Sequence, residues 1–129
     1  MGIELNHTIV HARDAGASAA FLGGILGMPV KDRWGPFVPL PLANGITLDY
    51  LDAPVQIQPQ HYAFLMGDAE FDAAFARIRA AGLDYYAGPV HDRPNEINHN
   101  YGGRGVYFDD PDGHSMEIMT VPYGDRPAH

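Results

Sequence analysis

Two stretches of the chain carry the same alternation of apolar and polar positions. Residues 6–27, NHTIVHARDAGASAAFLGGILG, can be laid on residues 60–82, QHYAFLMGDAEFDAAFARIRAAG, at an offset of 54. His7 then falls on His61, Asp14 on Asp68, and Ala19-Ala20-Phe21 on Ala73-Ala74-Phe75. Each copy starts with period-two alternation, as at Leu5, His7 and Ile9, and passes through an aspartate into a helical stretch that closes near a glycine. That order predicts a strand, an N-capped turn and a helix. In the second helix Phe71, Phe75 and Ile78 share one face and Gly82 follows its end. The first carries Gly23 and Gly24 in its interior, where each costs about 1 kcal/mol against alanine, so close packing is the expected reason for both.

Beyond each helix come shorter strand-like pieces divided by Gly and Pro. Gly45-Ile46-Thr47-Leu48-Asp49 matches Gly113-His114-Ser115-Met116-Glu117, now at an offset of 68. The second half therefore holds extra residues between helix and last strand, 88-GPVHDRPNEINHNYGGRG-105, a polar, glycine-rich loop. Long loops on a repeated scaffold tend to carry function, with plain solvated connection as the alternative. The module is strand, helix, then two or three strands, used twice. The expected fold is α+β: one domain over residues 1–129, with modules at about 3–53 and 57–122 forming a cupped, barrel-like mixed sheet with helices outside.

Side chains alternate faces along a strand, so Leu5, His7, Ile9 and His11 point one way; His61, Ala63 and Leu65 share a face, as do Ser115, Glu117 and Met119. If the repeat places equivalent strands symmetrically, His7, His61 and Glu117 converge on the inner face of the cup. Two imidazoles and a carboxylate with open coordination positions form the arrangement of non-haem iron(II) oxygenases and, with other metals, of Lewis-acid enzymes. A divalent cation also offsets the cost of burying Glu117. A lone strand histidine is more often a hydrogen-bonded core residue; the symmetry and the matching carboxylate argue for ligands. Asp49, the repeat partner of Glu117, is open to three readings: a fourth ligand, a general base, or a solvated strand residue.

Pro111-Asp112-Gly113 fits a three-residue hairpin loop with glycine in the left-handed position. Counting back along that ladder sets Tyr107 opposite Glu117, so a phenol stands beside the proposed metal as a hydrogen-bond or proton donor, unless it serves only by packing its ring. His114 either supports the ligands or decorates the turn. In the long loop His91, Arg93, Asn98, His99, Tyr101 and Arg104 offer polar contacts to a ligand if the loop folds over the cup; Arg93 and Arg104 are candidates for a substrate carboxylate. Trp34 and Phe37 line the cup, make a subunit contact or, as the leading expectation, pack in the core.

Composition narrows the partners. At 129 residues and 46% hydrophobic, the chain can bury one real core. Sixteen acidic residues against eight basic give a formal charge of −8, which repels phosphate backbones and anionic lipid. Nucleic acid and membrane surface are thus not expected partners. No apolar run approaches the roughly 20 residues of a membrane span, no signal-peptide layout opens the chain, and Asn6 stands where myristoylation needs Ser or Thr. A cytoplasmic protein is expected. With no cysteine, any metal is held by nitrogen and oxygen.

From Leu5-Asn6-His7 through Gln60-His61-Tyr62-Ala63-Phe64 to Tyr107-Phe108-Asp109-Asp110-Pro111-Asp112-Gly113-His114-Ser115-Met116-Glu117, the chain resembles the vicinal oxygen chelate superfamily, which includes glyoxalase I, extradiol ring-cleaving dioxygenases, and fosfomycin and bleomycin resistance proteins. The resemblance implies a pair of βαβββ modules, His7, His61 and Glu117 as metal ligands, and a homodimer. Extradiol dioxygenases place a tyrosine ten residues before the glutamate, as Tyr107 stands here; their catalytic histidine has no counterpart between His11 and His61, which leaves His99 as the candidate. Glyoxalase I uses a fourth ligand, a carboxylate near the end of its first module, a place the resemblance leaves open to Asp49 with its shorter side chain. Fosfomycin transferases share the ligand set, but their basic residues have no clear counterpart in this lysine-poor chain, and bleomycin-binding members lack the ligands. The leading expectation is an extradiol-type dioxygenase of a small vicinal-oxygen, catechol-like substrate, with Fe(II) favoured and Mn, Ni or Zn as alternatives. The alternatives are a glyoxalase-like lyase or isomerase, a fosfomycin-type resistance enzyme, and a non-catalytic drug- or metabolite-binding protein.

Overall fold

The structure is a computed structural model of the chain, and residues 2–124 are described. The chain divides into two compact units between Gln58 and Pro59. The first unit holds β1 (His7–Ala12), α1 (Ala15–Leu26), β2 (Phe37–Pro41) and β3 (Thr47–Asp52). The second holds β4 (His61–Leu65), α2 (Asp68–Ala80), one 3₁₀ turn (Asn100–Gly102), β5 (Gly105–Asp109) and β6 (Ser115–Met119). Each unit builds an open three-stranded mixed sheet: β1-β3-β2 and β4-β6-β5, with a parallel first pair and an antiparallel second pair. This is an α+β fold of two repeated βαβββ-type modules. No helix among the described residues is long and apolar enough to cross a membrane.

Both sequence offsets reappear as strand register. His7 pairs with Thr47 and His61 with Ser115; Asp49 sits between Ile9 and Pro39, as Glu117 sits between Ala63 and Tyr107. Asp49 and Glu117 are therefore structural equivalents. In the second unit a further strand position is filled by bridges along β5. Tyr86 exchanges two backbone hydrogen bonds with Tyr107, at 2.9 and 2.8 Å, and Asn98 exchanges two with Gly105, at 2.8 and 2.9 Å.

In the first unit Val10, Ala12, Val38, Leu40, Leu48 and Tyr50 are buried, as are Ala15, Ala19, Leu22 and Ile25 of α1, which packs on all three strands. Each larger aliphatic buried this way contributes roughly 1.5–3 kcal/mol. Asp14 caps α1 by accepting from the Ala17 N–H at 3.0 Å, and Asp52 at the end of β3 accepts from the Ala15 N–H at 2.8 Å. Helix start and strand end are thereby tied together. Close packing explains only one of the two helix glycines. A Cβ on Gly23 would stand 2.8 Å from the Met28 carbonyl oxygen and 3.1 Å from Val30 Cγ2, whereas one on Gly24 meets open space.

The second helix differs from expectation at its cap. Gly67, not Asp68, is the N-cap, and Asp68 is the first helical residue. An acid in the first turn still suits the helix dipole. Asp68 and Asp72 both accept from the Arg104 guanidinium, at 3.0 and 2.6 Å, and that guanidinium lies 4.6 Å over the Phe71 ring. Arg104 is thus bound to α2 rather than presented to a substrate.

The alternation in β1 and β4 also resolves in one direction only. Val10, Ala12 and Phe64 are buried, while His7, Ile9, His11, His61, Ala63 and Leu65 are exposed. On β1 and β4 the histidine-bearing face is the exposed one, so neither His7 nor His61 is a buried core residue.

Candidate metal and substrate site

The hairpin between β5 and β6 sets the geometry. Gly113 takes φ +88° and donates its N–H to the Asp110 carbonyl at 3.1 Å, and the Asp110 N–H donates to the His114 carbonyl at 2.9 Å. Asp110 Oδ1 accepts from the N–H groups of Asp112 and His114, at 2.9 and 2.8 Å. Burial, the largest influence, pushes the Asp110 carboxyl above its ordinary range despite these bonds. The turn fixes the register that puts Tyr107 opposite Glu117.

Glu117 is only 1% exposed, yet it faces a group that can carry charge. His61 Nε2 lies 3.1 Å from Glu117 Oε1, and His61 Nδ1 lies 3.0 Å from the Ser115 carbonyl oxygen. Both ring nitrogens thus face acceptors. The hydrogen bond to Glu117 raises the His61 pKa most, with burial opposing it and Ser115 adding to it. For Glu117 burial works to raise the pKa, but hydrogen bonds from His61, Tyr123 and Tyr107 outweigh it and the net shift is downward. Each shift favours the charged form of its group, imidazolium for His61 and carboxylate for Glu117.

Two phenols complete the cluster. The Tyr123 hydroxyl donates to Glu117 Oε2 at 2.6 Å and lies 3.0 Å from the Tyr107 hydroxyl. The Tyr107 ring stacks on the His61 imidazole, with centroids 5.8 Å apart and 27° between planes. Burial, then the neighbouring Tyr123 and Glu117, raises the Tyr107 pKa far above the ordinary phenol value. Near neutral pH Tyr107 keeps its proton and offers its hydroxyl as a hydrogen-bond donor.

His61 and Glu117 fit a divalent metal by chemistry and by support. Imidazole nitrogen with carboxylate oxygen suits iron, manganese, nickel and zinc. The carbonyl partner of Nδ1 holds a proton there, so Nε2, on the Glu117 side, is the nitrogen that can bind a metal once it loses its own proton, the usual support of a metal-binding histidine. Among the described residues no three His, Asp or Glu side chains gather into one ligand set. His7 stands in the first unit, exposed, with Nδ1 2.7 Å from Asn6 Oδ1, so its Nε2 is the nitrogen left to offer. It lines a shallow cavity of about 350 Å³ with Asp49, Trp34, Asn6, Pro39 and Thr47. Trp34 is 71% exposed there, which overturns core packing as its role.

The remaining candidates separate by burial. His114 is 1% exposed; its Nδ1 accepts the Gln60 N–H at 3.0 Å and its ring meets Tyr62 edge-on at 5.8 Å. It pins the start of β4 to the hairpin, one residue before His61. His99 is exposed at the start of the 3₁₀ turn, with no side-chain hydrogen bond among the described residues. The long loop folds back on itself: Ala87 N–H donates to the Arg93 carbonyl at 3.1 Å, Asn95 N–H to that of Tyr85 at 2.9 Å, and buried Asn98 holds the Ala87 carbonyl at 2.8 Å. His91 stacks on Tyr86 at 4.5 Å and reaches Asp109 Oδ2 at 2.8 Å. Tyr123 was not legible as a site residue: it follows the last strand in a stretch with no periodicity.

The sequence profile of the Glyoxalase/Bleomycin resistance protein/Dioxygenase superfamily matches residues 4–118. The chain is 28% identical over 121 residues to the glutathione transferase FosA of Serratia marcescens, covering 89% of this chain and 79% of that protein. Among solved structures, the oxidase ChaP-H2 is 59% identical with TM-score 0.94, covering 96% of this chain and 98% of the other. The oxidase ChaP-H1 is 57% identical with TM-score 0.93, covering 95% and 99%. The match spans both repeats and the strands that carry His7, His61 and Glu117, and on it the chain belongs to the Glyoxalase/Bleomycin resistance protein/Dioxygenase superfamily.

Proposed function

We propose that the chain is a divalent-metal-dependent dioxygenase of the extradiol type, acting on a small catechol-like substrate with two adjacent oxygens. In this reading His7, His61 and Glu117 hold the metal, with Fe(II) favoured, in a cytoplasmic homodimer. The observation that carries it is the contact of His61 with Glu117 at 3.1 Å with Tyr107 stacked beside it, in a chain 59% identical to the oxidase ChaP-H2. When bound, the metal supplies Lewis-acid polarisation of the substrate oxygens and, as iron, redox access to dioxygen.

The chain's own residues do the rest. His61 is oriented through the Ser115 carbonyl, and Glu117 keeps its charge through hydrogen bonds that outweigh burial. Tyr107, held protonated, donates a hydrogen bond or a proton to an oxygen of the substrate. Exposed His99 is the candidate acid or base, and Asp49, beside His7 in the first-unit cavity, is the candidate second base.

The 28% identity to FosA favours a second reading, a fosfomycin-type resistance enzyme or a glyoxalase-like lyase using manganese, nickel or zinc. A third, a sequestering protein, draws on the open first-unit cavity. Oxygen uptake by iron-reconstituted protein against a catechol panel, beside loss of fosfomycin with glutathione, separates them. Uptake dependent on His61 and Glu117 carries the first reading. Fosfomycin turnover without oxygen uptake carries the second, and binding that survives His7→Ala and His61→Ala carries the third.

A further inference from the structure

Tyr123 lies beyond residue 118, where the superfamily match ends, so no shared motif accounts for it. Its hydroxyl nonetheless donates to the buried carboxylate, at 2.6 Å to Glu117 Oε2. The surroundings hold it there. The Tyr101 ring packs against it at 5.5 Å, and a Cβ on Gly124 would stand 3.3 Å from Tyr101 Cδ1, so the chain after Tyr123 lies along that ring. Tyr101 itself takes φ +56°, a left-handed conformation that a tyrosine adopts only when its surroundings enforce it.

We propose that Tyr123 is a positioning residue that sets how Glu117 is offered to a metal. A carboxylate with both oxygens free can bind through either or both. With Oε2 committed to the Tyr123 hydroxyl, which also lies 3.0 Å from Tyr107, only Oε1 remains beside His61 Nε2. Glu117 is thereby a one-oxygen ligand of fixed direction. The inference rests on the reading of His61 and Glu117 as metal ligands.

The test is calorimetric titration of the metal-free protein with Mn²⁺ for wild type, Tyr123→Phe and Glu117→Ala, with the apo melting temperature of each. Tyr123→Phe keeps the ring against Tyr101 and removes only the hydroxyl. The expected result is Mn²⁺ affinity weakened about 10- to 100-fold, the usual effect of losing a ligand's hydrogen-bond partner. The apo variant should still unfold cooperatively, with its melting temperature lowered by about 5–10 °C for the lost hydrogen bond of a buried carboxylate. Affinity within twofold of wild type, while Glu117→Ala loses binding, overturns the role of Tyr123 and leaves the metal reading standing. An affinity loss in a variant that no longer unfolds cooperatively overturns it as well, since the hydroxyl would then support the fold. Failure of wild type itself to bind Mn²⁺ overturns the metal reading and this inference with it.

Discussion

Replacing His61 by alanine in the metal-free protein should destabilise it in a way that depends on pH. The substitution strands a carboxylate that is 1% exposed and keeps only phenol partners. Breaking a fully buried pair costs about 3–5 kcal/mol, but the His61 side chain is 48% exposed, so solvent screening brings the expectation to about 1–2 kcal/mol. The pH window follows from the two shifts. His61 is raised above its ordinary 6.5, so its contribution is complete below that value and disappears as pH rises through the folded pKa. Glu117 is lowered below 4.5, so its contribution is complete above that value and disappears as pH falls through the folded pKa. The gap between wild type and variant is therefore widest between about pH 5 and 6 and narrows on both sides. Urea unfolding from pH 4 to 9, in a double-mutant cycle with Glu117→Gln, isolates the pair. A gap independent of pH, or one that grows towards pH 9, would refute the charged-pair account.

Gly24→Ala should stabilise by about 0.5–1 kcal/mol, because its Cβ enters open space in a helix, while Gly23→Ala should cost about 1–3 kcal/mol against the Met28 carbonyl; urea midpoints distinguish them. His114→Ala should cost roughly 2–4 kcal/mol by leaving the Gln60 N–H without its acceptor and opening a void, measurable as a fall in melting temperature. Tyr107→Phe should lower kcat by about 100-fold or more with metal content unchanged, and full activity in that variant would confine Tyr107 to packing.

The repeat was legible because strand pairing has period two and the Pro111-Asp112-Gly113 turn admits one register; both offsets therefore survive as residue pairs. Which face of β1 and β4 is open was not. Ile9 and Leu65 are apolar yet exposed, so alternation marked two faces without ranking them. The helix cap at Gly67 is shifted by one residue from the position equivalent to Asp14, and Asp68, now inside the first turn, meets Arg104, a partner 36 residues away in sequence. The loop was readable as polar but not as ordered: His91, Arg93, Asn95 and Tyr101 take positive φ, and only tertiary contacts select that against their intrinsic preference. At the site, His61, Tyr107 and Glu117 were found by spacing. Tyr123 belongs to no period and no motif, and only the fold brings it to the carboxylate.

The central claim is that His61 and Glu117 hold a divalent metal, and elemental analysis tests it most directly. Protein purified without chelator or affinity-tag metal is analysed beside Glu117→Ala and His61→Ala. The account predicts near-stoichiometric metal in wild type, with iron first, and its loss in both variants. Wild type that stays metal-free after anaerobic reconstitution with iron, manganese, nickel and zinc in turn would contradict it.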